Sequence, residues 1–404
     1  MLAAPTGTTN DLDPRERLEA LLAESVEAAQ QREAAAFDEL AAPCEQRLVL
    51  FGAGGLGKRT LAGLRKIGLQ PVAFADNNQA LWGQLVDGVP ILSPKDAAAR
   101  FGRSAAFLVT IWNGRLKDRT RDRVRQLTDL GCRRVVPVGF LFWKYPDAFL
   151  PFYPLDLPHK VLLRAAEVRS AFRLWQDDLS RREYVAQVAF RLLLDFDGMS
   201  APAVSQHYFP TDVYRLTQNE VFIDCGAFDG DTIKAFVNRM GDRFARIIAY
   251  EPDPANWRKL QRTINSMPVA AGRKIACVHQ AVGAASGTVQ FNPMGTELSA
   301  AGSGHLEVPC VALDESLGAE TPTIIKFDIE GAELGALAGA RHVIQRSLPV
   351  LAVSAYHRQA DLWDVPLAIA AISGDYRFFL RPHEFEGWDL VCYAAPSHRV
   401  AAED

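Results

Sequence analysis

The sequence predicts an α/β protein of two parallel-sheet units joined by a helical linker, and three observations carry that prediction. A buried strand runs straight into a glycine-rich turn and a helix across residues 47–67. The same order of strand, small-residue turn and helix returns at 221–240. After each of them, short apolar runs alternate with stretches of helical period, the signature of crossover connections rather than hairpins. At 404 residues the chain suits two domains of ~100–200 residues each. With 49% hydrophobic and 23% charged residues, both have material for a core.

Residues 1–45 form the first element. Asp13 and Pro14 read as an N-cap and first-turn pair, and Leu18, Leu21, Leu22, Val26 and Ala29 recur at helical spacing, so one amphipathic helix is predicted over 14–41. Its apolar face either lies on its own domain or pairs with a second copy as a homodimer, and too few heptads exist to choose.

Residues 46–145 come next. Arg47–Phe51 is a short buried strand that enters Gly52-Ala53-Gly54-Gly55-Leu56-Gly57, then a helix at Lys58–Ile67 and a second strand, Pro71–Ala75, ending at Asp76. Strand, G-x-G-x-x-G turn, helix, strand and acid stand in the order of a Rossmann-like nucleotide-binding domain. Runs at Val89–Leu92, Ala106–Ile111 and Arg134–Val138 continue the alternation, with helices near Lys95–Phe101 and Lys117–Leu130.

Residues 146–207 are predicted as a linker. The aromatic and proline-dense stretch Phe140–Pro158 argues against a regular helix. Helical period returns over Lys160–Leu179, and Ser180-Arg181-Arg182-Glu183 reads as a capping box ahead of Tyr184–Leu194.

Residues 208–404 hold the second α/β series, with strands at Val221–Asp224, Arg246–Tyr250, Ile275–His279, Thr323–Asp328 and Pro349–Val353, and a pair of extra strands before Thr323. The first strand ends in Asp224 and turns through Gly226 and Gly230, where backbone N–H groups can approach a ligand. The second ends at Glu251, placed to take both hydroxyls of a ribose. Taken alone these features fit NAD as well as S-adenosyl-L-methionine. The fourth strand decides between them, because Lys326-Phe327-Asp328-Ile329-Glu330-Gly331-Ala332-Glu333 crowds three carboxylates where ligands sit in open α/β sheets, and acids there suit a cationic ligand.

These motifs, FIDCGAFDGDT (222–232), YEPDP (250–254), QAVG (280–283), VPCVALDE (308–315) and KFDIEGAE (326–333), resemble the FkbM family of methyltransferases over roughly residues 208–396. The resemblance implies a class I methyltransferase fold with S-adenosyl-L-methionine as cofactor. It implies that Asp224, Gly226 and Asp229 line the methionine end, that Glu251 holds the ribose, that Gln280, Ala281 and Val282 flank the adenine, and that Asp328 faces the reacting methyl. Phe228 departs from the general glycine pattern of methyltransferases. The N-terminal LVLFGAGGLGKRTLAGL with FADNN and GVPIL resembles the small nucleotide-binding domains attached to some sugar acyltransferases and sugar C-methyltransferases, which implies a nucleotide-sugar or acceptor site edged by Gly52, Gly54, Gly57 and Asp76.

The expected reaction is O-methylation of a carbohydrate, nucleotide-sugar or natural-product hydroxyl. A base near that hydroxyl is worth ~10²–10⁴-fold. His357, just past the fifth strand, is the first candidate, followed by Asp328 and Glu330, with His305 a weaker one. An NAD-dependent oxidoreductase of a sugar nucleotide is the alternative, as is a non-catalytic sugar-nucleotide-binding module. No metal is expected, since charge attraction to a sulfonium already accounts for the acids. A formal charge of −4 without basic blocks argues against a nucleic-acid partner. No apolar run approaches the ~20 residues of a membrane span, and six scattered cysteines suit reduced thiols, so the expected location is cytoplasmic.

Overall fold

The structure, a computed structural model, describes residues 13–115, 119–203, 206–292, 300–301 and 306–401. The chain divides into two compact units. One takes in the described residues up to Ala165 with Arg182–Ala201 and Glu384–Trp388; the other takes in Ala166–Arg181, those of Pro202–His383, and those from Asp389 onward. The predicted linker 146–207 is therefore shared between the units rather than standing as a separate segment.

In the first unit the predicted helix over 14–41 is two helices, Pro14–Leu21 and Val26–Ala41. Ser25 restarts the helix as an N-cap, its hydroxyl accepting from the Ala28 N–H at 3.1 Å. Ala29, Ala36, Phe37 and Ala41 are buried, and Phe37 and Ala41 share a core with Leu48, Leu50, Phe142 and Trp143. The apolar stripe of the second helix is thus buried within its own unit, as the first of the two expected roles requires.

The strands of this unit are β1 (Leu48–Phe51), β2 (Ala73–Ala75), β3 (Leu85–Val86), β4 (Val89–Leu92), β5 (Ala106–Val109) and β6 (Val135–Pro137), in the order β3-β4-β2-β1-β5-β6. All neighbours are parallel except β3 and β4. Strand order reverses between β1 and β5, and the glycine turn leaves β1 at the edge where doubly wound sheets take ligands. The aromatic stretch after β6 holds two short helices against the expectation from its prolines, Val138–Lys144 and Pro146–Phe149. Pro146 opens the second of them, where a missing N–H costs nothing. Phe142 and Phe149 stack at 4.5 Å.

The capping box expected at Ser180 is displaced as well. The helix runs Asp178–Leu193, Asp177 Oδ1 accepts from the Ser180 N–H at 2.8 Å, and the Ser180 hydroxyl accepts from the Leu380 N–H at 2.9 Å.

The second unit carries β7 (Val221–Cys225), β8 (Arg246–Tyr250), β9 (Ile275–Val278), β10 (Ala281–Val282), β11 (Gly287–Asn292), β12 (Ala300–Ala301), β13 (Leu306–Val311), β14 (Ile324–Phe327), β15 (Val350–Ser354), β16 (Tyr376–Pro382) and β17 (Leu390–Pro396). The main sheet is ordered β16-β17-β15-β14-β7-β8-β9. From β9 to β15 its neighbours are parallel, and β17 runs antiparallel to both β15 and β16. Strands β10 to β13 form a separate small sheet. The predicted strand pair before Thr323 is β11 and β13 of that sheet. Among the described residues no helix is long and apolar enough to cross a membrane.

Candidate active site

At the C-terminal end of β7 the chain must turn within a residue of Cys225, because the end of β14 passes beside it. Gly226 makes that turn at φ +84°, and a Cβ there would lie 1.9 Å from the Asp328 carbonyl oxygen. Phe228 also adopts a left-handed conformation, at φ +49°. Its N–H donates to Glu251 Oε2 at 2.8 Å, so the acid at the end of β8 braces the turn after β7. The other oxygen, Oε1, accepts from the Asp253 N–H at 2.8 Å. Burial pushes the Glu251 carboxyl up to about 7 against those two hydrogen bonds. Asp229 lies in the same turn, half-buried, and accepts from the Asp231 N–H at 3.2 Å.

Asp224 is fully buried. Its Oδ1 accepts from Lys326 Nζ at 3.0 Å, while Oδ2 has no hydrogen-bond partner. Burial raises this carboxyl to about 6 even with the lysine beside it. Lys326 Nζ also donates to the Gly226 carbonyl at 2.8 Å, stands 3.7 Å from Asp328 Oδ2, and lies 4.9 Å from the centre of the Tyr208 ring. Sequence reasoning did not place Lys326 in the site. The signal was a lone cation inside the apolar strand Ile324–Phe327, where a buried charge must be paired.

Asp328 accepts from the Tyr208 hydroxyl and from the Ser354 hydroxyl, each at 2.8 Å. Burial pulls its carboxyl upward, but Lys326 first, then His357 and the two hydroxyls, hold it down at about 2. Glu330 follows in a left-handed conformation, φ +54°, with 15% of its side chain accessible. Burial raises its carboxyl to about 7 against the pull of His357.

His357 is buried, with Nδ1 2.8 Å from Glu333 Oε1 and Nε2 3.6 Å from Asp328 Oδ1 and 3.7 Å from Glu330 Oε1. Burial disfavours its charge, yet Glu333, Glu330 and Asp328 together lift it well above the ordinary histidine value. An imidazolium in this position has no lone pair to accept a proton. Glu333, which also accepts from the Ile329 N–H at 2.9 Å, ties this histidine to the turn after β14.

Gln280 is half-buried just past β9, and Ala281 and Val282 form β10, buried and paired with Cys310 and Val311. His305 lies outside the described residues. Among the described residues no group of three or more His, Cys, Asp or Glu is placed to hold a metal ion.

In the first unit, Gly52 (φ +118°) and Gly57 are glycines for packing: a Cβ would come within 2.4 Å of Ile111 Cγ1 and 1.9 Å of the Gly52 carbonyl oxygen respectively. Gly54 faces open space. Asp76 Oδ2 accepts from the Ala53 N–H and Oδ1 from the Asn78 N–H, each at 2.7 Å, so it braces its glycine turn as Glu251 braces the other.

A mainly parallel seven-stranded sheet with one antiparallel strand set next to the last, and carboxylates at the C-terminal ends of β7, β8 and β14, is a class I methyltransferase-like fold. Residues 224–385 match the Methyltransferase FkbM domain family, so the second unit carries an FkbM methyltransferase domain and the protein is a methyltransferase. A solved methyltransferase FkbM from Methylobacillus flagellatus KT superposes with a TM-score of 0.75 at 24% identity, over 95% of this chain and 100% of that one. The precorrin-6y C5,15-methyltransferase from Geobacter metallireducens GS-15 aligns more loosely, with a TM-score of 0.30 and 16% identity over 46% of this chain and 84% of that one. No curated protein matches the chain. The family match favours a methyltransferase over the oxidoreductase and silent-module alternatives.

Proposed function

We propose that the protein transfers a methyl group from S-adenosyl-L-methionine to a hydroxyl oxygen of a carbohydrate, nucleotide-sugar or natural-product acceptor. The residues present fit this cofactor on one observation above all: Asp224 Oδ2 is a buried carboxylate oxygen without a partner at the end of the central strand, a state that costs free energy unless a donor arrives. An amino-acid ammonium is such a donor. Glu251 would take the ribose, Asp229 would stand at the methionine end, and Gln280, Ala281 and Val282 would border the adenine. The bound cofactor supplies an electrophilic methyl group on a sulfonium.

Glu330 is the base we assign. It is partly accessible and poised near 7, where a general base works best at neutral pH, whereas Asp328 is held too acidic and His357 too basic. In the first unit, Gly54 and the Asp76-braced turn would receive a nucleotide or nucleotide sugar. Six free cysteines favour a reducing compartment, the cytoplasm.

The test is transfer of labelled methyl from S-adenosyl-L-methionine to a panel of sugars, nucleotide sugars and hydroxylated natural products, with products located by mass spectrometry. Labelling of a hydroxyl supports the reading; transfer confined to carbon or nitrogen acceptors overturns it.

A further inference from the structure

We propose that Lys326 is the positioning residue for the cofactor end of the site, holding Asp224 as a carboxylate and the Gly226 carbonyl in one arrangement so that Asp224 Oδ2 is left to receive a ligand's ammonium group. This rests on the cofactor reading above and extends it to a residue that touches no ligand itself.

Lys326 on β14 stands in register with Asp224 on β7, and its side chain is 2% exposed, so its charge is answered by the protein and not by water. An ammonium has three protons to place. Asp224 Oδ1 at 3.0 Å and the Gly226 carbonyl at 2.8 Å take two, and the third side faces Asp328 Oδ2 at 3.7 Å and the Tyr208 ring. One lysine therefore fixes the carboxylate, the glycine turn and the acid after β14 relative to one another. It also saturates only Oδ1 of Asp224, and Oδ2 stays buried without a hydrogen bond.

The charged and titratable groups around Asp224 are Lys326 and Asp328 from β14 and its end, Asp231 from the helix Asp231–Met240, and the adjoining Cys225 thiol. The lysine's field reaches Glu251 at the end of β8 as well. Every one of these except Lys326 is neutral or negative. With the lysine gone, burial and the like charges of Asp231 and Asp328 act on Asp224 unopposed, and it takes up a proton at neutral pH. A protonated Asp224 is a poor partner for an ammonium.

The experiment is calorimetric binding of S-adenosylhomocysteine to wild type, Lys326→Met, Asp224→Asn and the double variant from pH 6 to 9. Taking the ratio of variant to wild-type Kd at each pH cancels the ligand's own titration. Lys326→Met is expected to lose about tenfold or more at pH 7 and to regain most of it by pH 9, because alkali restores the carboxylate. The loss in Asp224→Asn stays constant from pH 7 to 9, and adding Lys326→Met to it costs less than about twofold more. A pH-independent ratio for Lys326→Met overturns the proposal, as do single losses that multiply in the double variant. A wild type that binds no S-adenosylhomocysteine overturns the cofactor reading itself, and the proposal with it. Should Lys326→Met fail to fold, Lys326→Gln takes its place in the same cycle, and the double variant, which removes both buried charges together, is expected to keep the fold.

Discussion

Glu333 Oε1 lies 2.8 Å from His357 Nδ1, with each side chain only 1% exposed, and this buried pair holds the turn that carries Asp328 and Glu330. The histidine sits well above its ordinary value, and burial raises Asp224, Glu251, Glu330 and Asp361, the buried first residue of the helix Asp361–Ile372, to about 6, 7, 7 and 7. The folded state therefore binds more protons than the unfolded chain from about pH 4.5 upward through these values, and stability falls as pH rises across that window. Asp328, held at about 2, works the other way, losing its contribution only as pH falls below the ordinary carboxylate range. Thermal melts of the ligand-free protein are expected to give a higher Tm at pH 6 than at pH 8. For His357→Gln the loss is about 3–5 kcal/mol at pH 6, where the charged pair is broken, and it shrinks as pH rises through the folded histidine's raised value. A Tm that climbs from pH 6 to 8 contradicts these protonation states.

Glu330→Gln separates chemistry from binding. The substitution keeps the side chain's shape and removes its proton-accepting charge, so kcat is expected to fall by about 10²–10⁴-fold while the affinity for S-adenosylhomocysteine stays within about twofold. The wild-type pH–rate profile should rise through about 7 and that limb should vanish in the variant. An unaltered profile would return the base to some other group.

Two glycines that look alike in sequence behave oppositely. At Gly226 an alanine Cβ would collide with the Asp328 carbonyl at 1.9 Å in a left-handed conformation, so Gly226→Ala is expected to cost more than about 3 kcal/mol in denaturant unfolding. At Gly54 a Cβ meets nothing within 4 Å, and Gly54→Ala is expected to change stability by less than about 1 kcal/mol. The added methyl would instead stand where a phosphate approaches the helix Gly55–Lys66. Weaker binding of a nucleoside diphosphate by Gly54→Ala, measured by calorimetry, is the expected sign of a site there; unchanged binding removes Gly54 from it.

How much of the fold and site was legible in the sequence follows from the distance over which each feature is built. Strands β1, β7 and β14 are readable because each is a local apolar run, and Asp224, Glu251 and Asp328 are readable as acids at the sheet's C-terminal edge because each stands at a strand end. Lys326 and Tyr208 are not, since their partners lie 102 and 120 residues away, Lys326 meeting Asp224 through the register of β14 against β7 and Tyr208 reaching Asp328 from outside both strands. His357 stands at the end of the fifth strand as the sequence predicts, but its charge state depends on three carboxylates that the turn after β14 brings to it. The helix break at 22–25 escaped because a serine N-cap interrupts an apolar period without altering it. The helices Val138–Lys144 and Pro146–Phe149 are hidden in the sequence because a proline that breaks one helix can equally open the next, as Pro146 does.

Glu251 braces the turn after β7 and is proposed to hold a ribose, and a deletion alone cannot tell the two roles apart. Its oxygens already accept from the Phe228 and Asp253 N–H groups, so Glu251→Ala leaves two donors without their partner and loosens the turn after β7 even if no ribose is ever held. Glu251→Gln retains one acceptor oxygen and most of the shape, and is the sharper probe. For S-adenosylhomocysteine it is expected to cost about 1–3 kcal/mol if the carboxylate accepts from a ribose hydroxyl. For the 2′-deoxy analogue the same substitution should cost markedly less, because the hydroxyl that needed the charge is gone. Wild-type affinity for the ribose ligand should also strengthen as pH rises through about 7, where Glu251 ionises, and the glutamine variant should lack that rise. Equal losses for the two ligands would leave Glu251 as a brace for Phe228 and nothing more.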